Sequence, residues 1–192
     1  MRKATVIRKT NETEIKVELN LDGSGLTEID TGVGFLNHML QLFGFHGKFD
    51  LKIKCTGDLN VDSHHTSEDI GIALGQAFKE ALGDKKGIER YGFMFLPMDE
   101  AMARVAVDLS GRPCLVYNVD FSRSMLGSMA TEDFKEFFKG FVNNSLCALH
   151  IELLYGENDH HKIEAVFKGF GRALKTAVKV TSDSLQSTKG AL

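Results

Sequence analysis

The sequence predicts an α+β fold made of two duplicated halves, each reading ββαβα, with sheets packed against helices. Three observations carry that prediction. The chain has 192 residues, 43% of them apolar, the size of one compact domain or of two fused half-domains with a real core. The segment DSHHTSEDIGIALGQAFKEAL (62–82) lies over NDHHKIEAVFKGFGRALKTAV (158–178) at an offset of 96, half the chain. Identities fall at His64/His160, His65/His161, Glu68/Glu164, Gly75/Gly171, Ala77/Ala173, Lys79/Lys175 and Ala81/Ala177. Three of them form the same H-H-x-x-E, so duplication explains the match better than a chance likeness of two amphipathic helices. Finally, strand-like and helix-like periods follow each other in the same order on both sides of the midpoint. The halves are set at 1–96 and 97–192, together one compact domain.

Taken in order, residues 4–9 and 13–20 read as strands, the second alternating Ile15, Val17 and Leu19. TGVGFLNHMLQLFGF (31–45) has helical spacing, and FDLKIKC (49–55) alternates Phe49, Leu51, Ile53 and Cys55. The first H-H-x-x-E then opens a helix with apolar residues at 70, 73, 74, 77, 78, 81 and 82. The second half gives ARVAVDL (103–109) and CLVYNVDF (114–121) across a Ser110-Gly111-Arg112-Pro113 turn, then a helix at about 132–147. Strand LHIELL (149–154) and the second H-H-x-x-E helix close the chain.

Composition excludes several functions. A formal net charge of −3 argues against a sequence-independent grip on nucleic acid, which needs a basic surface. No apolar run reaches the length of a bilayer span, and the start MRKATVIRKTNETE carries no signal-peptide apolar core. Cys55, Cys114 and Cys147 lie far apart without a C-x-x-C, which reads as reduced thiols in a cytoplasmic protein.

The histidines carry chemistry. In H-H-x-x-E on a helix, each His stands three or four residues from the Glu and can share a face with it. Successive imidazoles diverge by about 100°, so His64 and His65, and likewise His160 and His161, suit two different ions better than one. Mixed nitrogen and oxygen donors fit Mn, Fe, Zn or Ni, and the lack of thiolate argues against a structural zinc. His38 lies between Phe35 and Leu42 on the apolar stripe of its helix, where a lone His is ordinarily a core residue. Aligning Leu51/Leu149 and Ile53/Ile151 sets His38 opposite Glu136 and Phe43 opposite Phe141. A His and a Glu in equivalent places then read as a fourth ligand for each of two ions. His150 faces the polar side of its strand and reads as structural. By local pattern alone, His46 is a helix cap or a substrate contact, Arg112 a solvated turn residue, Glu12 a surface carboxylate and SDSLQSTKGAL a frayed end.

GVGFLNHML (32–40), DSHHTSEDIGIALG (62–75), PMDEAMARVAVDLSGRP (97–113), ENDHHKIEAVFKGFGRAL (157–174) and STKG (187–190), in this order, resemble the imidazoleglycerol-phosphate dehydratase family of histidine biosynthesis over essentially the whole chain. The resemblance implies a ribosomal protein S5 domain 2-like α+β fold, manganese, and a homo-oligomer of trimers building a large octahedral assembly with metal sites between subunits. It puts the metal ligands on His38, His64, His65, Glu68, His160, His161 and Glu164. The eighth ligand, often His in the family, falls on Glu136, a carboxylate that still suits Mn²⁺. Substrate contacts fall on Glu12, His46, Arg90, Arg112, Lys168, Ser187, Thr188 and Lys189. Of these, Arg90, Arg112, Lys168 and the Ser187-Thr188-Lys189 tail would hold the phosphate through charge-assisted bonds.

The implied activity is a lyase that removes water from D-erythro-imidazole glycerol phosphate to give imidazole acetol phosphate, with two Mn²⁺ per chain. The leaving hydroxyl sits beside the ring and the departing proton is on a carbon that is not acidic. The ring must therefore expel the hydroxyl, and two ions, one per ring nitrogen, would stabilise it as imidazolate. Glu12 is the candidate for part of the proton transfer. Two rivals are a non-catalytic metal-bridged assembly protein, which needs no phosphate site, and a metal-dependent hydrolase, which would hold both ions around one water.

Overall fold

The computed structural model describes residues 2–190. The first half runs β1 (Lys3–Lys9), β2 (Thr13–Asn20), β3 (Thr27–Asp30), α1 (Gly34–Gly47), β4 (Asp50–Gly57) and α2 (His64–Leu82). The second runs β5 (Tyr91–Met98), β6 (Ala101–Asp108), β7 (Cys114–Asn118), a small hairpin β8 (Met125–Leu126) and β9 (Met129–Ala130), then α3 (Asp133–Ser145), β10 (Ala148–Tyr155) and α4 (Asp159–Ala177). The two main sheets have the same order, β1-β2-β4-β3 and β5-β6-β10-β7. In each, only the last pair is parallel. The duplicated α+β architecture read from the sequence is therefore present.

Each main sheet carries one strand more than ββαβα, and the second half adds the β8–β9 hairpin. β3 is only four residues long and alternates half-buried with exposed positions, too weak a pattern to stand out by period. β5 keeps Phe93 and Phe95 on the outside and Gly92 and Leu96 inside, so its apolar residues do not mark a face. The strands around Ser110–Pro113 consequently do not form a hairpin, because β10 lies between β6 and β7. The second sheet also begins at Tyr91, ahead of the 96/97 midpoint, which falls inside β5.

The sheets turn alternate residues inward, as half-buried antiparallel strands do. Ile15, Val17 and Leu19 face Cys55, Ile53 and Leu51 in register, and Ala103, Val105 and Val107 face Leu153, Ile151 and Leu149. Lys16, Lys52, Lys54, Arg104 and His150 take the outer faces. The four helices fill the space between the sheets, α2 against α3 and α1 against α4. Each contributes one phenylalanine to a closed ring of contacts: Phe43–Phe78 6.0 Å, Phe78–Phe141 5.3 Å, Phe141–Phe170 5.0 Å and Phe170–Phe43 4.8 Å.

Two glycines explain how closely the helices approach. A Cβ on Gly75 would stand 2.5 Å from the Phe141 carbonyl oxygen, and one on Gly171 would stand 2.5 Å from that of Phe43. The repeat identity Gly75/Gly171 thus meets the repeat pair Phe141/Phe43, which fixes Glu136 as the positional counterpart of His38. All four helices start at one end of the molecule. Phe35 of α1 touches His160 of α4 at 5.1 Å and Phe134 of α3 at 5.9 Å, and His64 of α2 lies 3.5 Å from Asp133 of α3. Helix N-termini favour negative charge, and this end collects the carboxylates of both H-H-x-x-E motifs.

Candidate metal centre and active site

Each motif is fixed at its helix start by a side chain two residues earlier. Asn158 Oδ1 accepts the His160 N–H and Asp62 Oδ1 accepts the His64 N–H, both at 2.9 Å. From α4, His160 and Glu164 then point one turn apart along the same face, and α1 brings His38 to them. Glu164 Oε1 lies 2.8 Å from His38 Nε2 and 3.0 Å from His160 Nε2. One donor atom from each of the three falls within 4.8 Å of the others. The cluster joins the two repeats, His38 from the first and His160 and Glu164 from the second. His38 is not a core histidine, since its side chain is 41% exposed.

Glu164 is buried, and Lys168 Nζ donates to its Oε2 at 2.5 Å. Burial alone would raise its carboxyl, but the bonds from Lys168, His38 and His160 outweigh it and hold it down to about 2. The centre is thus an ionised carboxylate with two imidazoles, a donor set suited to a divalent cation.

The equivalent set in the other half is His64, Glu68 and Glu136. Among the described residues these do not gather as tightly. Glu136 accepts from Lys139 at 2.9 Å, and Glu68 also acts on that lysine, raising its pKa after the larger effect of Glu136. The physical reason lies in the Glu136 position. A carboxylate stands where the other half has His38, and it takes Lys139 of its own helix rather than reaching the H-H-x-x-E carboxylate as His38 does.

The second imidazole of each pair turns elsewhere, as the expected divergence requires. Ring centroids are 5.9 Å apart for His64–His65 and 6.4 Å for His160–His161. His65 Nδ1 bonds Asp58 Oδ2 at 3.0 Å and its Nε2 lies 3.6 Å from Glu12 Oε1. His161 Nδ1 bonds Glu100 Oε2 at 2.7 Å and its Nε2 lies 3.6 Å from Asp99 Oδ2. The Asp58 bond raises the His65 pKa, and the Glu100 bond raises that of His161. Glu100 is itself held at about 2 by the Asn158 N–H and by His161. Asp58, Asp99 and Glu100 were not singled out in the sequence. Asp99 and Glu100 sit in the PMDEA run, whose acidic pair beside a strand start was the one available signal.

The expected phosphate residues divide into two groups within a chain. Lys168 stands at the His38–His160–Glu164 cluster and reaches Met98 Sδ at 3.1 Å. His46 is close by: burial, then Lys168 and Arg172, lower its pKa. Arg90 lies at the other end of β5. It forms a two-pronged pair with Asp108 at 2.7 and 3.1 Å and donates to the Gln186 carbonyl at 2.8 Å. The Leu109 N–H bonds the Arg90 carbonyl at 3.0 Å, which brings the Arg112 turn to the same end. The tail runs past Gly87, whose N–H donates to the Ser184 carbonyl at 3.1 Å. Ser187 Oγ accepts the Lys189 N–H at 3.3 Å, and Thr188 is exposed. Met98 and Arg90 mark opposite ends of a strand roughly 25 Å long. One phosphate, with contacts of about 3 Å, cannot reach both groups. A single phosphate site holding Lys168 together with Arg90, Arg112 and the tail is therefore not assembled inside one chain.

A sequence model of the family described as imidazoleglycerol-phosphate dehydratase matches residues 31–174. The chain is 62% identical over 192 residues to the imidazoleglycerol-phosphate dehydratase of Clostridioides difficile strain 630, covering 100% of both. It is 54% identical over 190 residues to that of Clostridium botulinum strain Alaska E43, covering 98% of this chain and 97% of the relative. Its fold is similar to the crystal structure of imidazoleglycerol-phosphate dehydratase from Staphylococcus aureus subsp. aureus N315, with TM-score 0.85 and 45% identity over 93% of this chain and 99% of that one. It is also similar to the Pyrococcus furiosus enzyme in complex with (S)-C348, with TM-score 0.86 and 40% identity over 97% of this chain and 100% of that one. Matched from end to end in sequence and in fold, the chain belongs to the imidazoleglycerol-phosphate dehydratase family, lyases of histidine biosynthesis.

Proposed function

We propose that this chain dehydrates D-erythro-imidazole glycerol phosphate to imidazole acetol phosphate with two divalent ions per chain, preferably Mn²⁺, at sites completed between copies of itself. The observation that carries this reading is the His38–His160–Glu164 cluster with Lys168 bonded to its carboxylate. His38, His160 and Glu164 would hold one ion, and His64, Glu68 and Glu136 the other, a divalent cation taking over the charge balance that Lys139 now provides. When bound, the ions supply Lewis acidity to the nitrogens of the substrate ring.

His65 and His161 face away from their own chain's cluster, so they would serve sites on neighbouring copies. The separation of Lys168 from Arg90, Arg112, Ser187, Thr188 and Lys189 supports the same conclusion for the phosphate. Two subunits would grip it from opposite sides, His46 and Lys168 from one and the arginines and tail from the other. Such a shared site suits a homo-oligomer of trimers building an octahedral assembly. Glu12, in an exposed turn with its carboxylate 3.6 Å from His65 Nε2, would move a proton at that carboxylate. A metal-bridged scaffold would have no use for these cations. A hydrolase would need both imidazoles of a pair near neighbouring ions, against the divergence described. No helix among the described residues is long and apolar enough to cross a membrane, and three unpaired cysteines suit the reducing cytoplasm. The test is metal analysis with a water-elimination assay before and after chelation. Two ions per chain and activity that is lost and restored with them are expected; full activity in metal-free protein contradicts the reading.

A further inference from the structure

The second imidazole of each H-H-x-x-E is gripped at Nδ1 by a carboxylate, and the two grips come from different parts of the fold. Glu12 and Glu100 are positional counterparts, each standing immediately before the second strand of its half. Only Glu100 bonds its imidazole at Nδ1. In the second half, residues 156–158 alone separate β10 from α4. The N–H groups of Glu157 and Asn158 donate to Glu100 Oε1 at 3.2 and 2.8 Å, which seats Oε2 on His161. In the first half the connection is longer, 58–63, and supplies Asp58 instead. Asp58 Oδ2 takes His65 Nδ1, while its Oδ1 is buried without a hydrogen-bond partner. A carboxylate placed to support its own loop would use both oxygens on backbone N–H groups. This one makes its side-chain bond to His65 alone.

We propose that Asp58 and Glu100 are positioning residues: they keep the proton of His65 and His161 on Nδ1, so that Nε2 carries the lone pair offered to an ion, and Asp58 takes the Nδ1 bond that Glu12, 3.6 Å from Nε2, does not make. Hydrogen bonds behind a ligating imidazole fix its tautomer and orientation and strengthen its hold on a metal. The inference rests on the reading of His65 and His161 as ligands given above. It also accounts for why the first-half carboxylate, and not its counterpart Glu100, is available for proton transfer.

The experiment titrates metal-free full-length Asp58→Ala and Glu100→Ala with Mn²⁺ alone, and reads the ring-nitrogen NMR of the metal-free proteins. Each variant should still reach two ions per chain, with one of them bound about 10–100-fold more weakly. The proton of the affected imidazole should move from Nδ1 toward Nε2. Asp58→Asn, which retains an acceptor oxygen, should recover part of the affinity. Unchanged affinity and unchanged tautomer in both alanine variants would overturn the proposal. His65→Ala separates the two levels. If it loses an ion while Asp58→Ala binds normally, the positioning role alone fails; if it keeps both ions with native affinity, the ligand reading fails and the proposal falls with it.

Discussion

Replacing Gly71 with alanine should lower stability even though it improves helix propensity. Gly71 lies inside α2 where α2 meets α3. An added Cβ would stand 2.2 Å from the Phe137 carbonyl oxygen and 3.0 Å from its carbonyl carbon. Ordinary contact needs about 3.5 Å, so the helices must part by roughly 1 Å. The neighbour is helix backbone, which cannot rotate aside as a side chain would. Alanine in a helix interior contributes about 1 kcal/mol over glycine, while overpacking costs about 1–3 kcal/mol. Packing wins, by up to about 2 kcal/mol. For a chain of this length that corresponds to a fall in Tm of roughly 5 °C. The same displacement would move Glu68, three residues before Gly71, away from Glu136 on α3. Thermal unfolding of the metal-free variant, followed by Mn²⁺ titration, should show lower stability and one weakened ion. A Tm equal to or above the native value would mean that propensity dominates and that the close approach does not hold the helices together.

Three further outcomes follow from single groups. Asp50 accepts the N–H groups of Ser24, Gly25 and Leu26 at 2.8, 3.2 and 3.2 Å, and these bonds, the Ser24 N–H foremost, hold its carboxyl at about 2. Its folded pKa lies below the unfolded value of about 4, so its contribution is present above pH 4 and is lost as pH falls toward 2. The stability gap between native protein and Asp50→Asn should narrow over that window in thermal melts, and a constant gap would contradict it. Glu12→Gln should keep both ions and a near-native KM while kcat falls by about 10²–10⁴; a rise in KM alone would make Glu12 a substrate-holding group. Deleting residues 186–192 removes the carbonyl that receives Arg90 together with Ser187, Thr188 and Lys189, and steady-state kinetics should show a sharply higher KM. Unaltered kinetics would give the tail no part in phosphate binding.

What was legible in the sequence is what local geometry determines. Alternation at Ile15, Val17 and Leu19 located a strand because one face of its sheet is buried. The divergence of paired imidazoles followed from residues per turn, and the alignment through Leu51/Leu149 made His38 and Glu136 equivalent positions of the two halves. β3 and β5 were not legible: the inward positions of β3 are only half-buried, and β5 sets Gly92 inside and Phe93 and Phe95 outside, so neither gives a clean alternation. The insertion of β10 between β6 and β7 depends on pairing across the chain, which the Ser110–Pro113 turn misrepresents. The grips on His65 and His161 depend on connection length: a carboxylate at position 58 and another at 100 perform one task from unrelated elements. Distance was the other hidden quantity, since Lys168 and Arg90 lie on adjoining elements yet at opposite ends of β5.

The central claim, that each site is shared between subunits, is tested most directly by complementation. His38→Ala and His65→Ala proteins are each prepared metal-free, mixed in equal amounts, and reassembled with Mn²⁺ before the dehydration assay. Each variant alone should be inactive. In the mixture, random assembly should pair an intact His38 cluster with an intact His65 from another copy in about a quarter of the sites, and activity should return in that proportion. A mixture no more active than its components, with reassembly verified by light scattering, would contradict sharing and confine the site to one chain.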